Sequence, residues 1–188
     1  DKLYLATLDA HLLALDMSTG AVVWDATMED YQVGYASTIA PLAVDGKIIV
    51  GVAGGEFGIR GFIDAYDAES GQRVWRFYTI PGPGEPGNET WSGDSWRTGG
   101  ASVWVTGAYD PKLNLLYYGI GNPGPDYYGE IRQGDNLYSA SLVALDASTG
   151  ELRWHYQFTP HDVHDWDATE VPILADIEID GQMREIVM

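Results

Sequence analysis

The sequence predicts an all-β fold assembled from repeated antiparallel sheets, and three observations lead to this prediction. Residues 14–24, 65–75 and 144–154 share the pattern Ala-x-Asp-x-x-(Ser/Thr)-Gly-x-x-x-Trp. Asp-Gly pairs at residues 45–46 and 180–181 lie between strand-like segments, a strong signal for two-residue hairpin turns. Helical periodicity is scarce along the chain. Because a motif that recurs along a chain indicates a repeat architecture, we expect four-stranded blades and part of a β-propeller.

Each of the three repeats reads as a β-hairpin whose second strand ends in tryptophan. The apolar runs LLAL (12–15) and LVAL (142–145) are strand-like, and the Asp that follows can start a turn by accepting nearby backbone N–H groups. Gly supplies the turn position that requires positive φ. The recurring Trp suits packing between neighbouring sheets. The alternative is an ordinary meander sandwich with chance similarity, and three matching copies argue against it.

The number of repeats bears on domain organisation. Three repeats, plus the start of another after residue 171, are too few to close a ring, since propellers have about four to eight blades. We therefore expect residues 1–188 to be a partial propeller domain, about three blades plus the start of another, cut at both ends. Residues 80–102 are rich in Gly, Pro and Ser, and they predict a long irregular loop of the kind that often carries function.

Composition excludes some classes of partner. The formal net charge is −18, from 28 acidic and 10 basic residues, so nucleic acid is excluded as a partner because phosphate binding needs a basic face. A cation or a neutral substrate fits this charge better, although solubility alone would also explain much of it. Cysteine is absent, which excludes a disulfide scaffold. No apolar run is long enough to predict a membrane span.

The densest group of chemically active side chains is HDVHDWDATE, residues 161–170. Two interpretations are open: a solvated acidic loop, or a catalytic base beside a bound cation. A zinc site is disfavoured, because there is no Cys and few other His residues could complete a tetrahedral set. We expect His161 and Asp162 to hold the loop by hydrogen bonds.

Five further motifs accompany the Trp repeats along the chain: GGEFGIRG (54–61), DSWRTGGASVW (94–104), YDPKLNLLYYGIGNPGPD (109–126), GDNLYSASLVALD (134–146) and TPHDVHDWDATE (159–170). Together, over essentially the whole chain, they strongly resemble the pyrroloquinoline quinone (PQQ)-dependent alcohol and methanol dehydrogenases. The resemblance implies an eight-bladed β-propeller with tryptophan-docking motifs, of which this chain would be an internal stretch.

The resemblance also implies a function. Members of the family oxidise alcohols in the bacterial periplasm, and PQQ passes the electrons to a cytochrome c or a similar acceptor. A calcium or lanthanide ion lies against the quinone. The expected reaction is oxidation of a primary alcohol to an aldehyde by hydride transfer to PQQ. Two alternatives remain open: a non-catalytic propeller that acts as a scaffold or binding protein, and a PQQ enzyme that acts on sugars or aldehydes.

The resemblance assigns the metal ligands and the catalytic base. Glu56, in a Gly-rich bend, and Asn122, before a proline turn, match the family's metal-binding carboxylate and amide, oxygen ligands that hard cations prefer. Asp165 matches the catalytic aspartate and also faces the metal. Asp167 is the further acid of the lanthanide-using branch, so a lanthanide is preferred over calcium. In an extended segment, residues i and i+2 would place both aspartates on one side.

The cofactor residues follow from the same resemblance. Trp104 matches the tryptophan under the quinone, and the alternative is a core Trp on a strand in ASVWVTGAYD. Thr38 and Ser102 match hydroxyl donors to PQQ, and Gly54 and Gly55 match backbone that lines it. His164 stands where many relatives carry Trp, so no catalytic role is expected for it.

Overall fold

The computed structural model describes residues 1–188 and contains thirteen β-strands in four antiparallel sheets, so the all-β prediction is confirmed. The first sheet contains β1 (Lys2–Ala6), β2 (His11–Asp16) and β3 (Val22–Thr27), and the second contains β4 (Leu42–Val44), β5 (Lys47–Gly51), β6 (Phe62–Asp67) and β7 (Arg73–Tyr78). The third contains β8 (Ala108–Asp110), β9 (Leu115–Ile120), β10 (Ser141–Asp146) and β11 (Leu152–Gln157). The fourth is the hairpin of β12 (Leu174–Ile179) and β13 (Gln182–Val187).

Helical structure is limited to five short 3₁₀ segments: Tyr31–Val33, Gly55–Phe57, Asn88–Thr90, Ser95–Arg97 and Gly129–Ile131. None of the helical segments has the length and apolar character needed to cross a membrane.

The three Trp repeats form the hairpins β2–β3, β6–β7 and β10–β11, as the sequence predicts. In the first, the Asp16 carboxylate accepts the backbone N–H groups of Ser18 at 3.0 Å and Thr19 at 2.8 Å. The other two repeats have the same turn, and the glycines of the three turns have φ of 74°, 71° and 75°. In every repeat the Ala of the motif pairs opposite the Trp, with a register shift just after it. The turn therefore sets the position of each Trp on the second strand of its hairpin.

Two of these tryptophans connect one sheet to the next. The Trp24 indole N–H donates to the Ala68 carbonyl of the second sheet at 3.2 Å. The Trp75 indole N–H donates to the Ala147 carbonyl of the third sheet at 3.3 Å. The same contact thus repeats between successive sheets. Trp154 remains 39% exposed and packs against Tyr117, with ring centroids 5.8 Å apart.

The Asp-Gly turns are also as predicted. Asp45 and Gly46 join β4 to β5 with φ of 48° and 76°, and Asp180 and Gly181 join β12 to β13 with φ of 52° and 74°. Positive φ at both central residues is the tight hairpin turn that matches strand twist.

A buried ion pair joins β6 to β7 within the second sheet and extends to the segment that follows β3. Arg76 on β7 binds both carboxylate oxygens of Asp64 on β6, at 2.7 and 2.8 Å, and it also contacts Glu29, which follows β3, at 2.9 Å. The Asp64 side chain is completely buried and that of Arg76 is 9% exposed. Because the bidentate geometry satisfies both charges, this pair can lie in the interior.

The strand considered for ASVWVTGAYD is wrong over most of its length, because only Ala108–Asp110 forms a strand. Residues 101–104 are instead shared between two neighbours: Ala101 N–H donates to Asn122 O at 2.8 Å, and Val103 N–H donates to Val52 O at 2.7 Å. Ala101 has left-handed backbone, with φ of 49°, and this conformation interrupts an extended strand. This irregular segment brings the motif loops together.

Candidate functional site

Loops that are far apart in sequence meet around residues 100–104. Residues 52–55, 100–104 and 121–124 are joined by backbone hydrogen bonds, and residue 36 pairs with residue 53. The contacts are Ala53 N–H to Ala36 O at 2.8 Å, Gly121 N–H to Ser102 O at 2.8 Å and Gly124 N–H to Gly99 O at 2.7 Å. Glu56, Ser102, Trp104 and Asn122, which the sequence predicts to share a site, all lie on or next to these loops.

Glycines allow the loops to approach this closely. A Cβ on Gly55 would lie 3.1 Å from Ser102 Oγ, and one on Gly121 would lie 3.0 Å from Ser102 O and 3.4 Å from Trp104 Nε1. A Cβ on Gly124 would lie 3.1 Å from Gly55 O. Side chains at these positions would push the loops apart, so the glycines form a cradle beside Ser102 and Trp104.

The candidate cofactor residues differ in exposure. Trp104 is 39% exposed, so it is not the core tryptophan that the alternative required, whereas Ser102 is buried. Thr38 is exposed and follows the segment that pairs with residue 53. Gly54 has φ of 108°, and a Cβ there would lie 2.0 Å from Gly34 O. Packing against Gly34 therefore requires glycine at position 54.

Asn122 and Asp165 are in direct contact across 43 residues of sequence, with Asn122 Nδ2 donating to Asp165 Oδ1. The other end of the Asn122 amide, Oδ1, is buried and has no hydrogen-bond partner. Buried polar atoms are normally paired, so an unpaired amide oxygen is exceptional. The Asn122 Oδ1 atom can therefore accept a hydrogen bond or bind a cation.

Four carboxylates, including the Asp165 that contacts this amide, influence one another's charge. Burial raises the pKa of Asp126, and the charges of Asp165 and Glu56 raise it further. Burial also raises the pKa of Asp167, as do the charges of Asp165 and Glu56, among other acids. The raised pKa values of Asp126 and Asp167 indicate that acids from three separate loops lie near one another.

Asp126 was not predicted as a site residue. Its only sequence signal is its position at the end of the same GNPGPD segment that contains Asn122. Its backbone lies two residues from Gly124, which packs against Gly55 next to Glu56. An acid so placed was indistinguishable, in sequence, from an ordinary turn residue.

Asp162 holds the 161–167 loop, as expected. It is 2% exposed, and its carboxylate accepts the backbone N–H of His164 at 2.8 Å and that of Trp166 at 3.1 Å. His161 also ties the loop down, with Nδ1 2.8 Å from Gly134 O. The rings of His164 and Trp166 stack with centroids 5.6 Å apart.

The conformation predicted between Asp165 and Asp167 is wrong. The segment is not extended: both residues have left-handed backbone, with φ of 60° and 52°. The reason is the Asp162 carboxylate, which draws two N–H groups toward itself and curls the loop. The two aspartates nevertheless feel each other's charge, since Asp165 is the largest charged contributor to the raised pKa of Asp167.

The donor set fits a hard cation. No three acidic or histidine side chains close on a single point. The charges of Glu56 and Asp165 nevertheless act on Asp167, and Asp165 contacts the Asn122 amide, whose Oδ1 is unpaired. Carboxylate and amide oxygens are the ligands that calcium-like ions prefer.

Comparison with known proteins gives a consistent result. A family model described as "PQQ: Glucose/ethanol/alcohol dehydrogenase, beta-propeller domain" matches residues 1–188. Quinohemoprotein alcohol dehydrogenase ADH IIB of Pseudomonas putida is 46% identical over the whole chain, which covers 29% of that protein. A lanthanide-dependent methanol dehydrogenase of Methylacidiphilum fumariolicum (strain SolV) is 39% identical over 96% of this chain and 33% of its own length.

A solved structure of a europium-containing methanol dehydrogenase superposes with a TM-score of 0.93 at 39% identity, covering 99% of this chain and 35% of that one. The chain therefore spans about a third of the length of the relatives it matches.

Proposed function

Because the chain belongs to the PQQ-dependent glucose, ethanol and alcohol dehydrogenase β-propeller family, we propose that it is an internal stretch of an enzyme that oxidises a primary alcohol to an aldehyde. The observation that carries the proposal is the contact of Asn122 with Asp165, beside the buried and unpaired Asn122 Oδ1. A non-catalytic scaffold has no need of an amide held in this way.

The residues have separate roles in this proposal. Glu56, Asn122 Oδ1, Asp165 and Asp167 would hold the cation, since they supply oxygen ligands from three loops. The half-exposed Trp104 would stack on the quinone, with Gly55 and Gly54 in the glycine-rich wall beside it. Ser102 and Thr38 would donate hydroxyl hydrogen bonds to the PQQ carboxylates.

Asp165 acts as the general base. Its Oδ1 accepts the Asn122 amide N–H, so Oδ2 is left to take the hydroxyl proton of the alcohol. When bound, PQQ would accept the hydride and the cation would polarise the quinone carbonyl. The Asn122 contact restricts rotation of the Asp165 carboxylate and keeps Oδ2 directed toward one substrate position.

The number of acids favours a lanthanide over calcium. Attraction scales with the charge of the ion, so each extra carboxylate favours a trivalent ion more than a divalent one. Asp167 is one such extra carboxylate, and its charge also acts on Asp126. A europium-containing relative with the same local fold is consistent with this preference.

The wider setting is part of the same proposal. The chain contributes blades to an eight-bladed propeller, supported by the repeated indole-to-carbonyl contacts of Trp24 and Trp75, which act as docking motifs. The enzyme is periplasmic and passes its electrons to a cytochrome c or a similar acceptor.

Reconstitution tests the function. The intact protein with PQQ and lanthanum is expected to reduce a dye in the presence of a primary alcohol, and calcium is expected to support less activity. Asp167→Ala should lower lanthanum-dependent kcat about tenfold more than calcium-dependent kcat, because the trivalent ion loses more attraction. Ser18→Ala, in an exposed turn, serves as the control.

Three outcomes would contradict this proposal in different ways. Inactivity with both ions would favour a scaffold. Activity confined to sugars or aldehydes would correct the substrate. Equal losses with calcium and lanthanum in Asp167→Ala would remove the role given to Asp167.

A further inference from the structure

Arg132 is a completely buried arginine that lies outside the roles assigned above. Its guanidinium has no carboxylate in hydrogen-bonding contact, and burial lowers its pKa. Its donors are directed almost entirely at loop backbone: Nε and Nη2 to Pro125 O at 3.2 and 3.1 Å, Nη2 to Asp126 O at 3.0 Å, Nη2 to Asp162 O at 2.6 Å, and Nη1 to Asn136 Oδ1 at 2.8 Å.

A buried guanidinium without a paired carboxylate has a high desolvation cost, and the hydrogen bonds that Arg132 makes offset this cost. Asn136 returns one of them, since its Nδ2 donates to Arg132 O at 2.7 Å. The planar five-donor group can hold several carbonyls at fixed angles, which a lysine ammonium cannot do.

Arg132 joins two of the three loops that carry acids of the candidate site. Asp126 lies in one of them, and Asp162 opens the loop that contains Asp165. The Asp162 carboxylate then holds the N–H groups of His164 and Trp166, the residues on either side of Asp165. A chain of hydrogen bonds therefore runs from the guanidinium to the backbone around the proposed base.

We propose that Arg132 is a positioning residue that sets the spacing between the Asp126 loop and the Asp165 loop. The proposal rests on the function proposed above, because the spacing matters only if the acids share an ion. Arg132 touches neither substrate nor ion, and acts through the carbonyls of Asp126 and Asp162.

A matched pair of variants separates positioning from general stability. Arg132→Lys keeps the positive charge but loses the planar group with its five donors. Arg76→Lys makes the same change at another largely buried arginine, whose partners are Asp64 on β6 and Glu29 just after β3. Both substitutions should lower Tm, whereas only the first should change the site.

Each variant is measured in the intact protein by Tm, by kcat and KM with PQQ and lanthanum, and by terbium affinity without PQQ. Terbium binding is followed by emission sensitised through nearby indole rings such as Trp166. Arg132→Lys is expected to lower kcat and terbium affinity by about 10- to 100-fold, the usual effect of losing a group that orients ligands. Arg76→Lys should leave both within about twofold of the unsubstituted protein.

If Arg132→Lys lowers Tm but keeps kcat and terbium affinity, as Arg76→Lys does, the proposal is overturned. Should Arg132→Lys fail to fold, Asp162→Asn decides, because it removes an acceptor from the same hydrogen-bond chain and should weaken terbium binding. Unchanged binding in Asp162→Asn would then count against the proposal. If the unsubstituted protein shows neither activity nor terbium binding, the proposed function and this proposal both fail.

Discussion

Asp165→Asn is expected to lower kcat by about 10²- to 10⁴-fold, the range supplied by a positioned general base. The substitution keeps the size of the side chain, and asparagine tolerates the left-handed backbone at this position, where φ is 60°. An amide cannot accept the alcohol proton, and it also removes one negative oxygen from the cation's surroundings. The measurement is steady-state oxidation of a primary alcohol at saturating PQQ and lanthanum.

Asp45→Asn is the matched control for this substitution. Asp45 also has left-handed backbone, with φ of 48°, but it lies in the β4–β5 turn rather than in the candidate site. Its kcat should stay within about twofold of the unsubstituted protein. If Asp165→Asn is as active as Asp45→Asn, another group takes the alcohol proton.

Gly150→Ala is expected to cost roughly 2–5 kcal/mol of unfolding free energy, the largest stability effect that we predict. Gly150 has φ of 75°, and a Cβ there would lie 2.6 Å from the Trp75 ring. Left-handed backbone costs an alanine about 1–2 kcal/mol, and displacing a packed indole costs about 1–3 kcal/mol more. Thermal unfolding of the intact protein measures the loss.

Gly46→Ala separates these two costs. Gly46 has φ of 76°, but nothing lies within 4 Å of where its Cβ would be. This substitution should therefore cost only the backbone strain. The difference in Tm between the two variants therefore reports the Trp75 contact. Equal Tm values would mean that the indole moves aside without cost and that this contact does not hold the two sheets together.

Local signals in the sequence account for most of the predicted fold. Asp16, with the Ser, Thr and Gly that follow it, specifies its turn through bonds within a few residues, and the same holds for the Asp45–Gly46 hairpin. Such turns need no information from distant parts of the chain. Glu56, Asn122 and Asp165 were found differently, through the resemblance of long motifs to a known family.

The structural features that the sequence did not predict depend on contacts between distant segments. The irregular path of residues 101–104 follows from hydrogen bonds to Val52 and Asn122, and the curl at Asp165 follows from the Asp162 carboxylate. Arg132 gave no sequence signal at all, because its partners are backbone carbonyls whose positions only the folded chain defines.

The most direct measurement is the position of a bound lanthanide in crystals of the intact protein, located by anomalous scattering. The account predicts one ion with Asn122 Oδ1 and carboxylate oxygens of Glu56 and Asp165 all within about 2.3–2.6 Å, as for a calcium-like ion. An ion held by other acids, with Asn122 Oδ1 still unpaired, would contradict it.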